Sequence, residues 1–259
     1  MAREKRYGLA RVLSKMGRCS RSEAAQLIRG REIRVNGRIA TDPEMPIRMG
    51  VDRVEVAGAV LTKQSAIYLA MNKPRGIVTT ASDEQGRSTV YDLLPGKHTW
   101  VAPVGRLDKA SEGLLLLTND SEWAARITDP ASHLPKTYHV QIDRVPDDQL
   151  MTSIATGVND GGDILRAVSA RVLRKGRKNS WLEIALDEGK NRHIRRLLGC
   201  FGIEVLRLVR VSIGPLQLGE LKKGAVRPLS PAEKESLDLA LKSGKRPPKN
   251  SGRMPIDVG

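Results

Sequence analysis

Apolar and polar positions divide this chain into a short first part and a longer second one. Leu9, Val12, Leu13 and Met16 recur at helical spacing, and Gly17 follows as a stop. Ser20-Arg21-Ser22-Glu23 has the form of a capping box, with Ser20 as N-cap and Glu23 at the third helical position. It opens a second helix through Ala24, Ala25, Leu27 and Ile28, with Gly30 as its predicted end. Ile33-Arg34-Val35 alternates as a short strand into the hairpin turn Asn36-Gly37, and Asp52 to Val56 alternates again.

From Ile67 the pattern changes. Ile67 to Met71 reads as an apolar strand broken by the turn residues Asn72 to Gly76, and Ile77 to Thr80 resumes extended structure. Ser82 to Arg87 is a polar loop, and Val90 to Leu94 is a short apolar element ended by Pro95-Gly96. Leu114 to Leu117 are consecutive leucines between Gly113 and Asn119-Asp120, the signature of a strand buried on both faces. Ser121 is placed to cap a helix through Trp123, Ala124, Ala125 and Ile127 that ends before Pro130. Lys136 to Ile142 alternates, with Tyr138, Val140 and Ile142 on one face. Leu165 to Leu173 and Trp181 to Leu186 alternate next, separated by the basic loop Arg174 to Lys178. Ile194, Leu197 and Leu198 mark the buried side of a helix, and Val205 to Val211 reads as a further strand.

The pattern predicts an α+β protein: a small N-terminal domain over residues 1–65, and a larger domain over 66–235 on a mixed, mainly antiparallel sheet with flanking helices. A basic, Pro-rich tail over 236–259, with nothing to pack, is expected to be disordered until RNA is bound. No internal repeat is present.

Charge sharpens the picture. Lys and Arg number 44 against 29 Asp and Glu, a formal net charge of +15, which favours a polyanionic partner. Residues 1–38 hold eleven Lys/Arg against three Glu, a net of +8 and about half of that surplus. Arg18 and Arg21 flank the turn between the two helices, and Arg34 and Arg38 bracket the hairpin, as phosphate contacts on a structured nucleic acid require. One Phe, four Tyr and three Trp are too few for a broad base-stacking platform. Cys19 and Cys200 lie far apart, and the four histidines lack metal-ligand spacing, so neither a disulfide framework nor a metal site is expected. With no long apolar run, the expectation is a cytoplasmic, monomeric protein that does not enter a membrane.

Three places carry candidate chemistry. Gly105-Arg106-Leu107-Asp108 puts a carboxylate and a guanidinium on a loop leading into the leucine strand, where a rigid scaffold suits a catalytic acid and where a turn aspartate is the plainer alternative. Tyr138 sits at the predicted mouth of the core, either as a functional group or as a packed tyrosine with its hydroxyl satisfied. Lys190, Arg192, Arg195 and Arg196 place four cations in seven positions near a helix start, and Arg195, directly after Ile194, is the candidate to turn inward toward a carboxylate.

The first 60 or so residues, through Ser20-Arg21-Ser22-Glu23-Ala24 and Val35-Asn36-Gly37, resemble the αL RNA-binding domain named after the fourth small-subunit ribosomal protein. Four further pieces follow in order: Lys73-Pro74-x-Gly76, Gly105-Arg106-Leu107-Asp108 with Ser111-x-Gly113 and the leucines, Lys136-x-Tyr138, and Glu188 to Arg196. With the first domain they resemble the RsuA/RluB-type branch of bacterial ribosomal-RNA pseudouridine synthases. Ser121 after Asn119-Asp120, where glycine is usual, and the basic tail depart from that pattern.

The resemblance implies a cofactor-free isomerisation of uridine to pseudouridine in ribosomal RNA, with the large subunit slightly favoured. Asp108 is implied as nucleophile, Arg195 as the cation that keeps it ionised, and Tyr138 as the residue packed on the flipped base. RNA contacts are expected from Arg18, Arg21, Arg34, Arg38, Lys73, Arg106, Lys136, Lys190, Arg192 and Arg196, on ribosomal RNA or a pre-ribosomal particle. Two other classes stand beside this reading. A non-catalytic ribosome-assembly factor fits the charge equally well, and a hydrolase needs a second acid that only Glu112 offers nearby.

Overall fold

The computed structural model describes residues 6–80, 85–96 and 100–244. The expected basic tail from Lys245 onward and part of the expected Ser82 to Arg87 loop lie outside the described residues. The chain forms two compact units that interleave in sequence: Met1–Tyr68 with Pro95–Pro103 and Leu117–Ala125, and Leu69–Leu94 with Val104–Leu116 and Arg126–Gly259.

In the first unit, the helix Leu9–Lys15 buries Leu9, Val12 and Leu13, as its spacing requires. The capping box is formed: Ser20 Oγ accepts from the Glu23 amide at 3.1 Å, and the Glu23 carboxylate accepts from the Ser20 amide at 2.8 Å. Such a cap is worth ~1 kcal/mol to the helix Arg21–Arg29. That helix stops at Gly30, but the left-handed turn belongs to the next residue: Gly30 has φ −72° and Arg31 φ +62°. Ile33–Val35 pairs with Arg38–Ile39 and with Val54–Val56 in an antiparallel sheet. Asn36 and Gly37 have φ +51° and +80°, the two positive values that this two-residue hairpin turn needs.

The sheet of the second unit runs Ser169–Lys175, Ser180–Leu186, Lys136–Ile142, Val205–Ile213, Glu112–Thr118, Tyr68–Lys73, Val226–Pro228. Its first four strands pair antiparallel, as does the Val226–Pro228 edge, and Val205–Ile213 meets Glu112–Thr118 in parallel. The α+β expectation therefore holds. Leu114 to Leu117 are at most 1% exposed, so the leucine strand is buried on both faces. It begins earlier than the leucines, at a buried Glu112 whose carboxylate receives both ends of the Arg207 guanidinium at 3.1 and 3.2 Å. Gly113 makes the parallel pairing possible: a Cβ there would stand 2.3 Å from the carbonyl oxygen of Arg210. One face of the sheet (Val140, Ile142, Leu182, Ile184) closes on the helices Asp148–Thr156 and His193–Gly199 through Ile154 and Leu197.

Local expectations differ from the structure in five places. Asp120, not Ser121, caps the helix Ser121–Thr128, because its carboxylate reaches the Trp123 amide at 3.0 Å. Ile77 to Thr80 is no strand; Val78 makes a single bridge to Thr89. Leu165 to Leu173 is divided, since Asp163–Leu165 turns back on Val158–Asp160 while Ser169–Lys175 joins the large sheet. Arg174 and Lys175, expected in a loop, belong to that strand. The helix Pro231–Ser243 occupies the first eight positions of the expected tail, with its own capping box between Ser230 and Glu233 and with Leu237 fully buried.

Candidate active site

Residues 107–111 form a loop whose every carbonyl is held. Thr79 Oγ1 donates to Leu107 O at 2.8 Å, and the Gly76 amide donates to Lys109 O at 2.7 Å. The Lys73 ammonium donates to Asp108 O at 3.1 Å and Ser111 O at 2.9 Å, and Arg195 Nη2 donates to Ala110 O at 3.2 Å. Five consecutive acceptors are thereby tied to four residues on two other segments, 73–79 and the helix of Arg195, so the path of the loop is over-determined.

The Asp108 side chain, by contrast, has no hydrogen bond or ion pair among the described residues. It faces a cleft of about 430 Å³ whose lining includes Arg106, Lys136, Tyr138, Arg192 and Arg210. Asp108 is the one carboxylate among the described lining residues. The paired acids of a glycosidase-type hydrolase are therefore not assembled here, and Glu112 is spent on Arg207 and Lys223.

Arg195 does not contact Asp108 directly. Its guanidinium donates to Val205 O at 2.9 Å and to Ala110 O, bracing the loop from below while leaving Nε buried without a protein partner. Burial and the nearby Arg192 pull its pKa down, and the Asp108 charge acts through space in the opposite direction. The same charge opposes the effect of burial on Lys73, whose ammonium is brought down to about 8. Burial, reinforced by Arg210, also brings Lys136 down to about 8, against the pull of Asp187. Tyr138 is half-buried against the core and lines the cleft two residues along the same strand.

Lys136 is half-buried in the cleft lining, and the other expected RNA contacts divide into three sets. Arg106 and Arg192 are exposed at the cleft, and Arg18, Arg21, Arg34 and Arg38 are exposed on the N-terminal unit. Lys190 lines the cleft but is engaged: its ammonium donates to Ile164 O at 2.7 Å and lies 3.4 Å from Glu188. Arg196 is held by Asp160 at 2.6 Å and Asp163 at 2.9 Å. Lys73 has 0% exposure and is a brace, not a surface cation.

The spacing had not singled out Arg210, Ser111 or His193. Arg210 is buried, donates to Leu114 O at 2.7 Å and leaves Nη2 unpartnered beside the cleft. Its signal lay in phase: Leu208, Arg210 and Ser212 share the buried side of an alternating strand, where an arginine is out of place. Ser111 Oγ is also buried at the cleft without a hydrogen-bond partner, and the buried His193 ring lies there with Nδ1 3.9 Å from the Glu188 carboxylate. Buried polar atoms that no protein group satisfies collect where a polar ligand is to be met.

The comparisons with known proteins agree with this geometry. Residues 67–199 match the RNA pseudouridylate synthase family, and residues 8–52 match the S4 domain. The chain belongs to the RNA pseudouridine synthase family. It is 32% identical over 239 residues to the ribosomal large subunit pseudouridine synthase B of Bacillus subtilis, covering 92% of this chain and 98% of that one. An RNA pseudouridine synthase of Rickettsia bellii is 39% identical over 219 residues, 85% of this chain and 95% of that one. A solved pseudouridylate synthase structure superimposes with a TM-score of 0.64 at 28% identity, covering 89% of this chain and 99% of that one. Among the described residues no helix is long and apolar enough to cross a membrane.

Proposed function

We propose that this enzyme isomerises a specific uridine of large-subunit ribosomal RNA to pseudouridine, with Asp108 as nucleophile and no cofactor. The observation that carries the reading is the contrast at Asp108: a backbone held at every carbonyl and a carboxylate left free in a basic cleft. The large-subunit assignment follows the Bacillus subtilis relative.

In the reaction the bond from uracil N1 to ribose C1′ breaks, the base turns, C5 joins C1′ and loses its proton, and N1 takes a proton up. The detached base must be held and its partner carbon stabilised, which asks for an ionised carboxylate in place before the chemistry starts. Arg195 and Lys73 each feel the Asp108 charge through space, so both cations stand close to the proposed nucleophile. Tyr138 packs on the flipped base, and Lys136, Arg106 and Arg192 receive the flanking phosphates. Arg18, Arg21, Arg34 and Arg38 hold another part of the folded RNA or pre-ribosomal particle, in the cytoplasm, with the enzyme acting as a monomer.

The test is nucleotide-resolution pseudouridine mapping of both ribosomal RNAs from cells lacking the gene, rescued with wild-type or Asp108→Asn protein. One large-subunit site lost and restored by the wild type alone is the expected outcome. A small-subunit site corrects the substrate, and an unchanged map removes the reading in favour of a binding or assembly factor.

A further inference from the structure

Ser169–Lys175 is the end strand of the large sheet, and with Ser180–Leu186 it forms a hairpin closed by the Gly176 amide donating to Asn179 O at 2.8 Å. Arg174, Lys175, Arg177 and Lys178 around its turn are all exposed, and among the described residues none of them has a carboxylate within 4 Å. Lys190 and Arg196 stand in the opposite condition, each with acidic neighbours.

The strand is built to turn this charge outward. Arg171 pairs across to Glu183, but the register then slips between Val172 and Arg174, so that Arg174 faces Trp181. Strict alternation would send position 174 to the same side as Ala170 and Val172, which pack on the core. The bulge moves Arg174 to the side of Arg171 instead. Cross-strand register then lines up Arg174, Trp181, Gln141 and Arg207 on the face away from the core. The Arg207 guanidinium lies 5.6 Å over the Trp181 ring, and Glu183 is neutralised by Arg171 at 2.7 Å with His139 at 3.4 Å. A run of unpaired cations beside a half-exposed aromatic is the chemistry of a phosphodiester backbone contact.

We propose that the tip of this hairpin is a second RNA contact, gripping the substrate backbone away from the isomerised uridine. The inference rests on RNA being the substrate, as argued above. The paired residues Leu186 and Lys136 line the cleft, whereas Ser180 and Ile142 pair at the far end of the same two strands. Six residues of strand at ~3.3 Å each put the tip about 20 Å from the cleft. At roughly 3.4 Å per stacked nucleotide this is about six nucleotides from the target.

The experiment uses the whole chain, filter binding and unmodified transcribed large-subunit ribosomal RNA over a salt series. Arg177→Gln with Lys178→Gln is compared with Lys222→Gln with Lys242→Gln, which removes the same charge from two other exposed positions. The tip variant is expected to flatten the slope of log affinity against log salt by about 1.4–1.8, and to lose on the order of tenfold in affinity at physiological salt. The control is expected to keep the wild-type slope. A tip variant with the wild-type slope, or a control that flattens it equally, overturns the proposal, because net charge alone then accounts for binding. Since the readout is binding, RNA held in a tip-dependent way but never isomerised leaves this inference standing and removes the functional one. Isomerisation with tip-independent binding does the reverse.

Discussion

The loop 107–111 and the segment 190–196 both bring charge to the cleft, and they are built in opposite ways. In the loop, the backbone is held by Lys73, Thr79, Gly76 and Arg195 while the Asp108 side chain is left free. In the segment, the side chains of Lys190 and Arg196 are held by carboxylates and a carbonyl. Arg195 braces the loop through the carbonyls of Val205 and Ala110, and Arg192 stands apart on a left-handed backbone with φ +50°. A charged residue near a cleft is informative only once its existing partners are known. A cation already satisfied inside the protein adds rigidity and has little left to offer a phosphate.

Replacing Asp108 with Asn should reduce isomerisation by a factor on the order of 10⁴ or more, measured in single turnover. Thermal stability and RNA affinity should stay near wild type, because the side chain supports nothing else. A variant with undiminished turnover ends the nucleophile assignment.

Lys73→Met tests the opposite half of the loop. It deprives buried carbonyls of their donor and should cost roughly 2–5 kcal/mol of stability in denaturant melts. Turnover should fall about 100-fold with little change in RNA affinity, since a carboxylate displaced by an ångström is badly placed for attack. A weakened affinity with unchanged turnover would return Lys73 to the RNA-contacting set.

The cleft lysine gives a pH test. With Lys136 titrating near 8, its ammonium is intact below that pH and lost above it. RNA affinity should therefore be flat below pH 8 and decline above it, by up to about tenfold per unit. Lys136→Arg should remove the break, because a guanidinium keeps its proton throughout. A break that survives the substitution assigns it to another group.

Arg196→Met should lower the thermal midpoint by a few degrees and leave RNA affinity unchanged, since its partners are Asp160 and Asp163. Arg192→Gly should do the reverse on a smaller scale. The backbone gains up to about 1 kcal/mol by relief of the left-handed strain, and RNA binding weakens a few-fold. Equal effects of the two on RNA affinity would erase the distinction between them.

What was legible in the chain was what one segment decides alone. The leucine run, the Ser20–Glu23 capping box and the Asn36-Gly37 turn are local, and the structure contains all three. The helix cap at Asp120 was misplaced by one residue because aspartate and serine serve equally and only the fold chooses between them. The capping box at Ser230 and Glu233 is equally local, and the helix it opens runs into positions that the basic composition beyond them assigns to a tail. Lys73 is not legible as a brace, because beside the neighbouring Pro74 carbonyl its acceptors lie 35 and 38 residues away and nothing near it in sequence announces them. The same holds for Arg196, whose acidic partners stand 33 and 36 residues upstream.

The buried Lys73 has a practical consequence. An amine near pKa 8 is nucleophilic at mildly alkaline pH, yet this one is sealed behind the loop that it braces. A lysine-directed acylating reagent can modify it only during excursions in which that loop lifts. Its labelling rate therefore counts openings of the segment bearing Asp108, and slower labelling in the presence of RNA would time how long the substrate keeps that segment shut.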